Sequence, residues 1–141
     1  MSMIDTPMIE ALSRFLDVNV ARNKLITSNL ANIDTPGYRT RDLDFRAELL
    51  RAGVDEYDGG MGNENENEFG NAAGSLSYAV YAPVVRTVHG LIVRPDGNDV
   101  SVERESLLLA ETQMKYSLGV QLLKDEFHGI SQAINSGGTS S

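Results

Sequence analysis

Apolar residues recur at alternating spacings of three and four along the N-terminal part of the chain. The positions in this series are Ile9, Leu12, Leu16, Asn19, Asn23, Ile26, Leu30 and Ile33. This alternation is a heptad seam, and it predicts one long amphipathic helix. Thr6 suits the N-cap of that helix and Pro7 its first turn. A helix from about Pro7 to Asn32 would be roughly 40 Å long, which favours a coiled coil.

A second series with the same spacing lies near the C-terminus. Its members are Val102, Ser106, Leu109, Gln113, Tyr116, Val120, Leu123, Phe127, Ile130 and Ile134. Four more apolar residues widen this stripe beyond one seam: Leu107, Ala110, Met114 and Leu118. The flanking positions are charged, and we expect them to face solvent: Glu103, Arg104, Glu105, Glu111, Lys115, Lys124, Asp125 and Glu126. Ser101 is the predicted N-cap, and the Gly-rich segment 136–141 ends this second helix.

The two series are compatible with two architectures. One is an antiparallel helical hairpin that buries its own core. In the other, the terminal helices pair with each other and also pack on neighbouring subunits. Asn19 and Asn23 bear on this choice, because polar residues in a seam cost stability but can fix register or oligomeric state. Periodicity alone leaves both architectures open.

The region between the helices contains short extended runs. Residues 77–82, 84–88 and 91–94 are predicted strands of a small sheet or hairpin, and Pro83 restricts its position to an edge or a break. The segment Pro95–Asn98 predicts a turn. The predicted fold class is therefore mainly α with a small β portion. Long N- and C-terminal helices pair as a coiled coil and are joined by a disordered acidic loop and a short β hairpin.

The acidic charge of the chain is concentrated in one stretch. The net charge is −8, and residues 52–75 contribute −6 of it. Their Gly, Asn and Glu content is typical of a mobile loop. Six carboxylates in this stretch could alternatively ligate a cation, although they lack the spacing of a calcium loop: Asp55, Glu56, Asp58, Glu64, Glu66 and Glu68. Because no basic patch occurs, neither nucleic acid nor anionic lipid is an expected partner, and proteins remain.

Residues that could carry catalysis are few. The chain has no cysteine, which excludes disulfides and thiolate metal sites. His89 and His128 suit a turn and a helix end, and no nucleophile elbow, P-loop or dinucleotide fingerprint occurs. We therefore assign no catalytic, cofactor-binding or metal-binding residue and expect that the protein is not an enzyme.

The segment Ser28–Tyr38 closes the first helix with a dense set of backbone signals. Pro36 disfavours a helical conformation at the preceding residue, and Gly37 allows a positive φ. Asn32 and Asp34 can hydrogen-bond the freed backbone groups. The chain must therefore leave the helix and turn within this segment.

This segment as a whole resembles the N-terminal signature of bacterial flagellar rod, hook and related axial proteins, an Ala-Asn-x-x-Thr-Pro-Gly-Tyr motif after an amphipathic helix. The matching residues are Ala31, Asn32, Thr35, Pro36, Gly37 and Tyr38. The continuation Arg39–Phe45 is similar to that of proximal-rod subunits in the flagellar basal-body rod family, and Asp96–Glu105 resembles the turn that launches their C-terminal helix. The resemblance covers residues 7–50 and 94–134.

The resemblance implies a structural subunit of the proximal rod. Its terminal helices would form the inner coiled-coil layer of a helical tube in the periplasm, serving flagellum-dependent motility. Its partners would be other rod subunits, the MS-ring protein and the ring-to-rod junction protein, with no direct membrane insertion. Export would use the flagellar type III apparatus without a cleaved signal peptide, and Met1–Leu16 indeed lacks the features of a Sec-type signal.

Four regions and one set of assembly residues follow from these patterns. The regions are an N-terminal helix with its exit motif (1–51), an acidic loop (52–75), a short β region (76–100) and a C-terminal helix with its tail (101–141). Besides the motif residues, the expected assembly seam consists of Leu12, Leu16, Ile26, Leu30, Val120, Leu123, Phe127, Ile130 and Ile134. Another rod subunit, or a coiled-coil adaptor or export chaperone, remains an alternative.

Overall fold

The computed structural model describes residues 7–51 and 82–138 of the chain. Its elements in chain order are α1 (Pro7–Ala31), β1 (Arg41–Leu43), α2 (Phe45–Arg51), β2 (Val85–Thr87) and α3 (Val102–Gly137). Two long terminal helices and a small antiparallel sheet confirm the predicted fold class. The predicted acidic loop at 52–75, its alternative cation site and all but the end of the predicted strand at 77–82 lie outside the described residues.

The helices α1 and α3 lie side by side and antiparallel. Asn29, near the end of α1, bonds to Glu105 near the start of α3. Further along α3, Gly119 lies against Leu16 in the first half of α1. Residue numbers therefore run in opposite directions along the contact. Within 7–51 and 82–138, no helix is long and apolar enough to cross a lipid bilayer.

The heptad pattern of α1 locates its buried side only in part, because Asn23 of the predicted seam is exposed and Val18 and Asn29 outside the seam are buried. Leu12 and Ile26 are buried, and Asn19 is buried between them. Leu16 and Leu30, at the other seam positions expected to assemble, are half-buried. The N-terminal seam thus lies largely inside the helix pair.

The buried side of α3 is displaced from the predicted seam. The buried residues Glu105, Thr112 and Gly119 lie seven positions apart, on the side that faces α1. A carboxylate, a hydroxyl and a glycine give no hydrophobic signal. The spacing of apolar residues therefore predicts the wrong side of α3 as the one that contacts α1. The prediction that Glu105 faces solvent is wrong, because its side chain is fully buried. Of the residues expected to form the assembly seam on α3, Val120, Leu123 and Ile130 are half-buried. Phe127 and Ile134 are exposed.

α3 begins and ends where the sequence predicts. The hydroxyl of Ser101 accepts a hydrogen bond from the backbone N–H of Arg104 at 3.3 Å, which satisfies one free donor of the first turn. Glu103 in that turn is placed favourably against the helix dipole. The helix ends at Gly137, within the predicted terminal segment.

The sheet pairs β1 with β2, and only one of these strands was predicted. Its antiparallel register places Arg41 opposite Thr87 and Leu43 opposite Val85. The predicted strand at 84–88 is confirmed at its centre, whereas the predicted strand at 91–94 is wrong. Gly90, at φ +82°, turns the chain before that run. The β region therefore pairs with a segment that directly follows the helix-exit motif, and not with its own continuation.

The short helix α2 packs against one flank of the helix pair, and it was not predicted. Asp44 caps it by accepting from Ala47 N–H at 3.1 Å. The ring of Phe45 meets Phe15 of α1 edge to face, with centroids 5.8 Å apart. The ammonium of Lys115 in α3 lies 4.3 Å from the centroid of the Phe45 ring, close enough for a cation–π interaction. Phe45 thus ties α2 to both long helices.

Candidate assembly site

The motif Ala31–Tyr38 forms a compact turn at the end of α1. The Asn32 amide donates to the carbonyl of Ser28 at 2.8 Å, and Thr35 N–H donates to the carbonyl of Asn32 at 3.0 Å. Tyr38 N–H then donates to the carbonyl of Thr35 at 3.2 Å. Gly37 has φ +74°, the left-handed conformation that glycine adopts without strain. The predicted helix exit is confirmed in its turn and in the role of Asn32.

A second segment, about sixty residues later in the chain, holds this turn in place. Gly37 N–H donates to the carbonyl of Asp96 at 2.9 Å. The buried amide of Asn98 donates to the carbonyls of Asn32 and Thr35, both at 2.9 Å. We call residues 31–38 and 94–101 together the helix-exit clasp. The clasp fixes the end of α1 directly beside the start of α3, so it sets how the two terminal helices meet.

Gly97 makes the close approach inside the clasp possible. Its φ is +85°, and a Cβ atom at this position would lie 3.3 Å from the Cα atom of Gly37. Both residues are therefore glycines for backbone reasons: each has a positive φ, and their backbones nearly touch. The Asp-Gly pair at 96–97, predicted as part of a turn, is also the contact that brings the two halves of the clasp together.

Asn29 connects the clasp to both long helices through four hydrogen bonds. Its Nδ2 donates to the carbonyl of Arg41 at 2.7 Å and to Oε2 of Glu105 at 3.0 Å. Its Oδ1 accepts from the hydroxyl of Tyr38 and from the backbone N–H of Arg41, both at 3.1 Å. All hydrogen-bonding capacity of this buried amide is thereby used. One side chain of α1 thus joins the motif tyrosine, strand β1 and helix α3.

Charged side chains add a second connection between α1, β1 and α3. Asp42 accepts from Arg22 of α1 at 3.2 Å and from Arg104 of α3 at 2.8 Å. Arg104 also pairs with the buried carboxylate of Glu105 at 2.5 Å. All four side chains are mostly shielded from water. These pairs therefore restrict the relative position of the elements more than exposed ion pairs would.

The salt bridge of Glu111 with Lys115 stands beside this cluster. Their atoms are 2.6 Å apart. The hydrogen bond from Lys115 lowers the pKa of the Glu111 carboxyl below its ordinary value. The same ammonium lies over the Phe45 ring, so the carboxylate positions Lys115 where it contacts α2.

Asp99 connects the clasp to the two residues that precede strand β1, Arg39 and Thr40. Burial raises the pKa of its carboxyl, but hydrogen bonds from Thr40 N–H at 2.6 Å and Thr40 Oγ1 at 2.8 Å lower it. Arg39, 3.3 Å away, lowers it further, so the net pKa lies below the ordinary 3.8. Because the folded protein favours the carboxylate, Asp99 stabilises the fold above the unfolded pKa, and this contribution is lost as pH falls through the folded pKa.

We expect the free energy of unfolding to depend on pH through Asp99. Between pH 7 and about pH 3, wild type should lose more stability than Asp99→Asn, which retains an acceptor for Thr40 but does not titrate. Urea unfolding followed by circular dichroism at both pH values measures the difference. Equal losses in the two proteins would show that Asp99 is not linked to folding.

The sequence patterns found the motif but missed most of its partners. Asn29 lies within the quoted segment Ser28–Tyr38, yet as an uncharged residue off the seam it gave no signal of burial. Asn98 was placed only in a turn, and Asp99 was assigned no role. An Asn directly after a turn glycine, as Asn98 follows Gly97, is the only local signal that could have suggested a backbone-binding amide.

An open groove runs between α1 and α3 on the flank away from Phe45. Its volume is about 470 Å³, and it is lined by Asn19, Val20, Asn23, Thr112, Gln113, Tyr116 and Ser117. Two buried polar atoms at its base, Asn19 Oδ1 and Thr112 Oγ1, have no hydrogen-bond partner within the described part of the chain. No lining residue is charged, so the groove suits an uncharged surface with a hydrogen-bond donor.

Thr112→Val should stabilise the single chain. The substitution removes a buried hydroxyl without a partner and keeps the shape of the side chain, so we expect a gain of about 1 kcal/mol in the free energy of unfolding. Thermal and urea unfolding of a dilute monomer measure it. A loss of stability would mean that the hydroxyl is satisfied in the folded chain.

Known proteins similar to this chain share one assignment. The family model described as Flagella basal body rod protein matches residues 20–39, which include the end of α1 and the motif. Flagellar basal body rod protein FlgB of Salmonella typhimurium is 30% identical, over 92% of this chain and 96% of its own length. FlgB of Borrelia hermsii is 30% identical over 89% and 94%, and that of Cereibacter sphaeroides 35% over 80% and 82%.

Proposed function

The chain belongs to the FlgB family of flagellar basal-body rod proteins, and on this premise we propose that it is a structural subunit of the proximal rod. In this role it polymerises through its terminal helices and links the MS ring to the rest of the rod. Its work is mechanical: it holds neighbours in a fixed geometry and is not an enzyme. The helix-exit clasp supports this role, because it fixes the angle and register at which α1 and α3 meet.

The observation that carries the proposal is the apolar surface that the helix pair leaves uncovered. Leu107, Met114 and Leu118 on α3 are 71%, 74% and 58% exposed. Apolar residues at helical spacing on an exposed face mark a contact with another protein. A rod subunit has such contacts on several sides, whereas a self-contained helical hairpin would bury its apolar stripes.

The proposed partners are the other rod subunits, the MS-ring protein and the ring-to-rod junction protein, together with further copies of this chain. The proposed location is the periplasmic part of the basal body, reached through the flagellar type III apparatus. The proposed contact residues are the members of the assembly seam that the helix pair leaves accessible, together with the motif Ala31–Tyr38. In the single chain, Phe127 and Ile134 of this seam are already exposed and free to meet a neighbour.

A pull-down tests this proposal. Purified chain is presented with MS-ring, junction and rod proteins of a flagellated bacterium, and wild type is compared with Phe127→Asp and Ile134→Asp. Both residues are exposed, so the fold should survive, and circular dichroism checks this. The control is Ala47→Asp on the exposed side of α2.

We expect wild type and the control to bind, and each seam variant to bind at least about tenfold more weakly, because a buried unpaired charge costs more than 1.4 kcal/mol. Retained binding by both seam variants would place the contact elsewhere on the protein. No binding by wild type, with a stable monomer in solution, would favour an adaptor or export chaperone.

A further inference from the structure

Two different surfaces of the helix pair are uncovered. The first, which we call the open flank, is the groove between α1 and α3 lined by Asn19, Thr112 and their neighbours. The opposite flank is covered, since Phe15 meets Phe45 of α2 and Arg22 bonds to Asp42 of β1. Among residues 7–51 and 82–138, the sheet and α2 thus close one side of the groove between the helices and leave the open flank uncovered.

The second surface, which we call the back stripe, lies on the side of α3 that faces away from α1. Its members follow helical spacing and are Leu107, Ala110, Met114, Leu118 and Gln121. At 100° per residue, Met114 lies about 200° around the helix from the buried Thr112. All five side chains are exposed. The back stripe and the open flank therefore point in different directions and can be occupied at the same time.

The two surfaces match in charge and in hydrogen bonding. None of the seven residues that line the open flank and none of the five members of the back stripe is charged. The nearest charge on the same face of α3 is Asp125, one turn beyond Gln121, where it can stay in water at the end of the contact. The open flank presents a buried acceptor without a donor, Asn19 Oδ1. The back stripe carries the amide of Gln121, which has two N–H groups, one of them bonded to Asp125 at 3.0 Å. A second copy of the chain thus supplies the donor that the open flank lacks, and its apolar residues can cover the exposed Val20 and Tyr116 of that flank.

We propose that the open flank of one subunit receives the back stripe of α3 from a second copy of this chain. This inference rests on the proposed function, because it assigns faces to the self-association of a rod subunit. The contact is heterologous: each copy uses one surface to receive and the other to insert. A heterologous contact that does not close a ring repeats along an open helical assembly, which is the geometry of a rod.

Single-cysteine cross-linking tests this pairing, because the natural chain contains no cysteine. Gln113→Cys places a thiol in the open flank, and Met114→Cys places one in the back stripe. The two variants are treated with a short bis-maleimide, alone and mixed, at high protein concentration. Arg46→Cys on the exposed side of α2 is the matched control, and each variant's fold is checked by circular dichroism.

The heterologous contact predicts a mixed product at least about fivefold above that of either variant alone, since only the mixture joins unlike surfaces. Thr112→Val should reduce this product severalfold while leaving the monomer folded, because it removes one of the two polar atoms at the groove base. Dimers of Gln113→Cys alone, at the level of the mixture, would replace the proposal with a symmetric contact.

Sedimentation of wild type separates this proposal from the proposed function. If wild type self-associates and the mixture gives no more product than the Arg46→Cys control, the face pairing is wrong and the rod role stands. If wild type does not sediment as an assembly at millimolar concentration and the mixture of the two cysteine variants gives no cross-linked product, both the face pairing and self-assembly through the terminal helices are wrong.

Discussion

Asn29→Asp should lower the free energy of unfolding at neutral pH by about 3 kcal/mol, although the two side chains have the same shape. The substitution replaces the Nδ2 donor by a carboxylate oxygen. That oxygen would lie 3.0 Å from Oε2 of Glu105 and 2.7 Å from the carbonyl of Arg41. Two hydrogen bonds thus become repulsive contacts between acceptors, in a site that water does not reach.

The expected pH dependence identifies the cause. Beside the buried Glu105, the new carboxyl should have a raised pKa, because both burial and a like charge disfavour its ionised form. The penalty is then full above this pKa and shrinks as pH falls through it. We expect the difference between wild type and variant to be smaller at pH 4 than at pH 7 in urea unfolding experiments.

Asn23→Asp is the matched control on the same helix. Asn23 is exposed, so the same change of atoms should alter stability by no more than about 0.5 kcal/mol. Equal effects at positions 23 and 29 would mean that the penalty arises from helix propensity or net charge. In that case the network around Asn29 would not hold the clasp together.

The long elements of this fold were predictable because they carry strong local signals. The heptad series of α1, the exit at Thr35–Gly37 and the cap at Ser101 each depend on residues within a few positions of one another. Signals that depend only on neighbouring residues can be recognised in a single sequence. The structure confirms all three, with the ends of both helices close to the predicted residues.

The connections between these elements were not predictable in the same way. Strand β1 has only three residues, and its partner Val85–Thr87 lies more than forty positions away. The core contact of α3 depends on Glu105 and Gly119, which hydrophobic periodicity treats as surface or as a break. Burial of Glu105 becomes favourable only through Asn29 and Arg104, and only the folded chain brings those partners together.

The register of α1 and α3 depends on polar contacts, because most buried side chains are polar. Among the described residues, five apolar side chains and eight polar or charged side chains are buried. A small apolar core tolerates sliding of one helix along another, but a satisfied polar network fits in one arrangement only. For a subunit that must present its faces at fixed positions, this specificity matters more than the net stability of each bond.

Gly119 sets the distance between the two helices, and Gly119→Val should lower the free energy of unfolding by about 3 kcal/mol through overpacking. A Cβ atom at this position would lie 2.8 Å from Cδ2 of Leu16 and 3.0 Å from Cδ1 of Phe15. Leu16 can change its rotamer, but the ring of Phe15 is held edge to face against Phe45. A β-branched side chain therefore has to push α3 away from α1 or displace α2.

Gly129→Val separates this crowding from helix propensity. Gly129 lies in the same helix, and a Cβ atom there would meet nothing within 4 Å. Replacing a glycine in an exposed helix position should stabilise the chain by a few tenths of a kcal/mol, or about 0.5 kcal/mol at most. Chemical unfolding of both variants should give opposite signs. If Gly119→Val also stabilises the chain, α1 and α3 do not touch at Gly119. The distance between the two helices that line the open flank would then be larger than the structure shows.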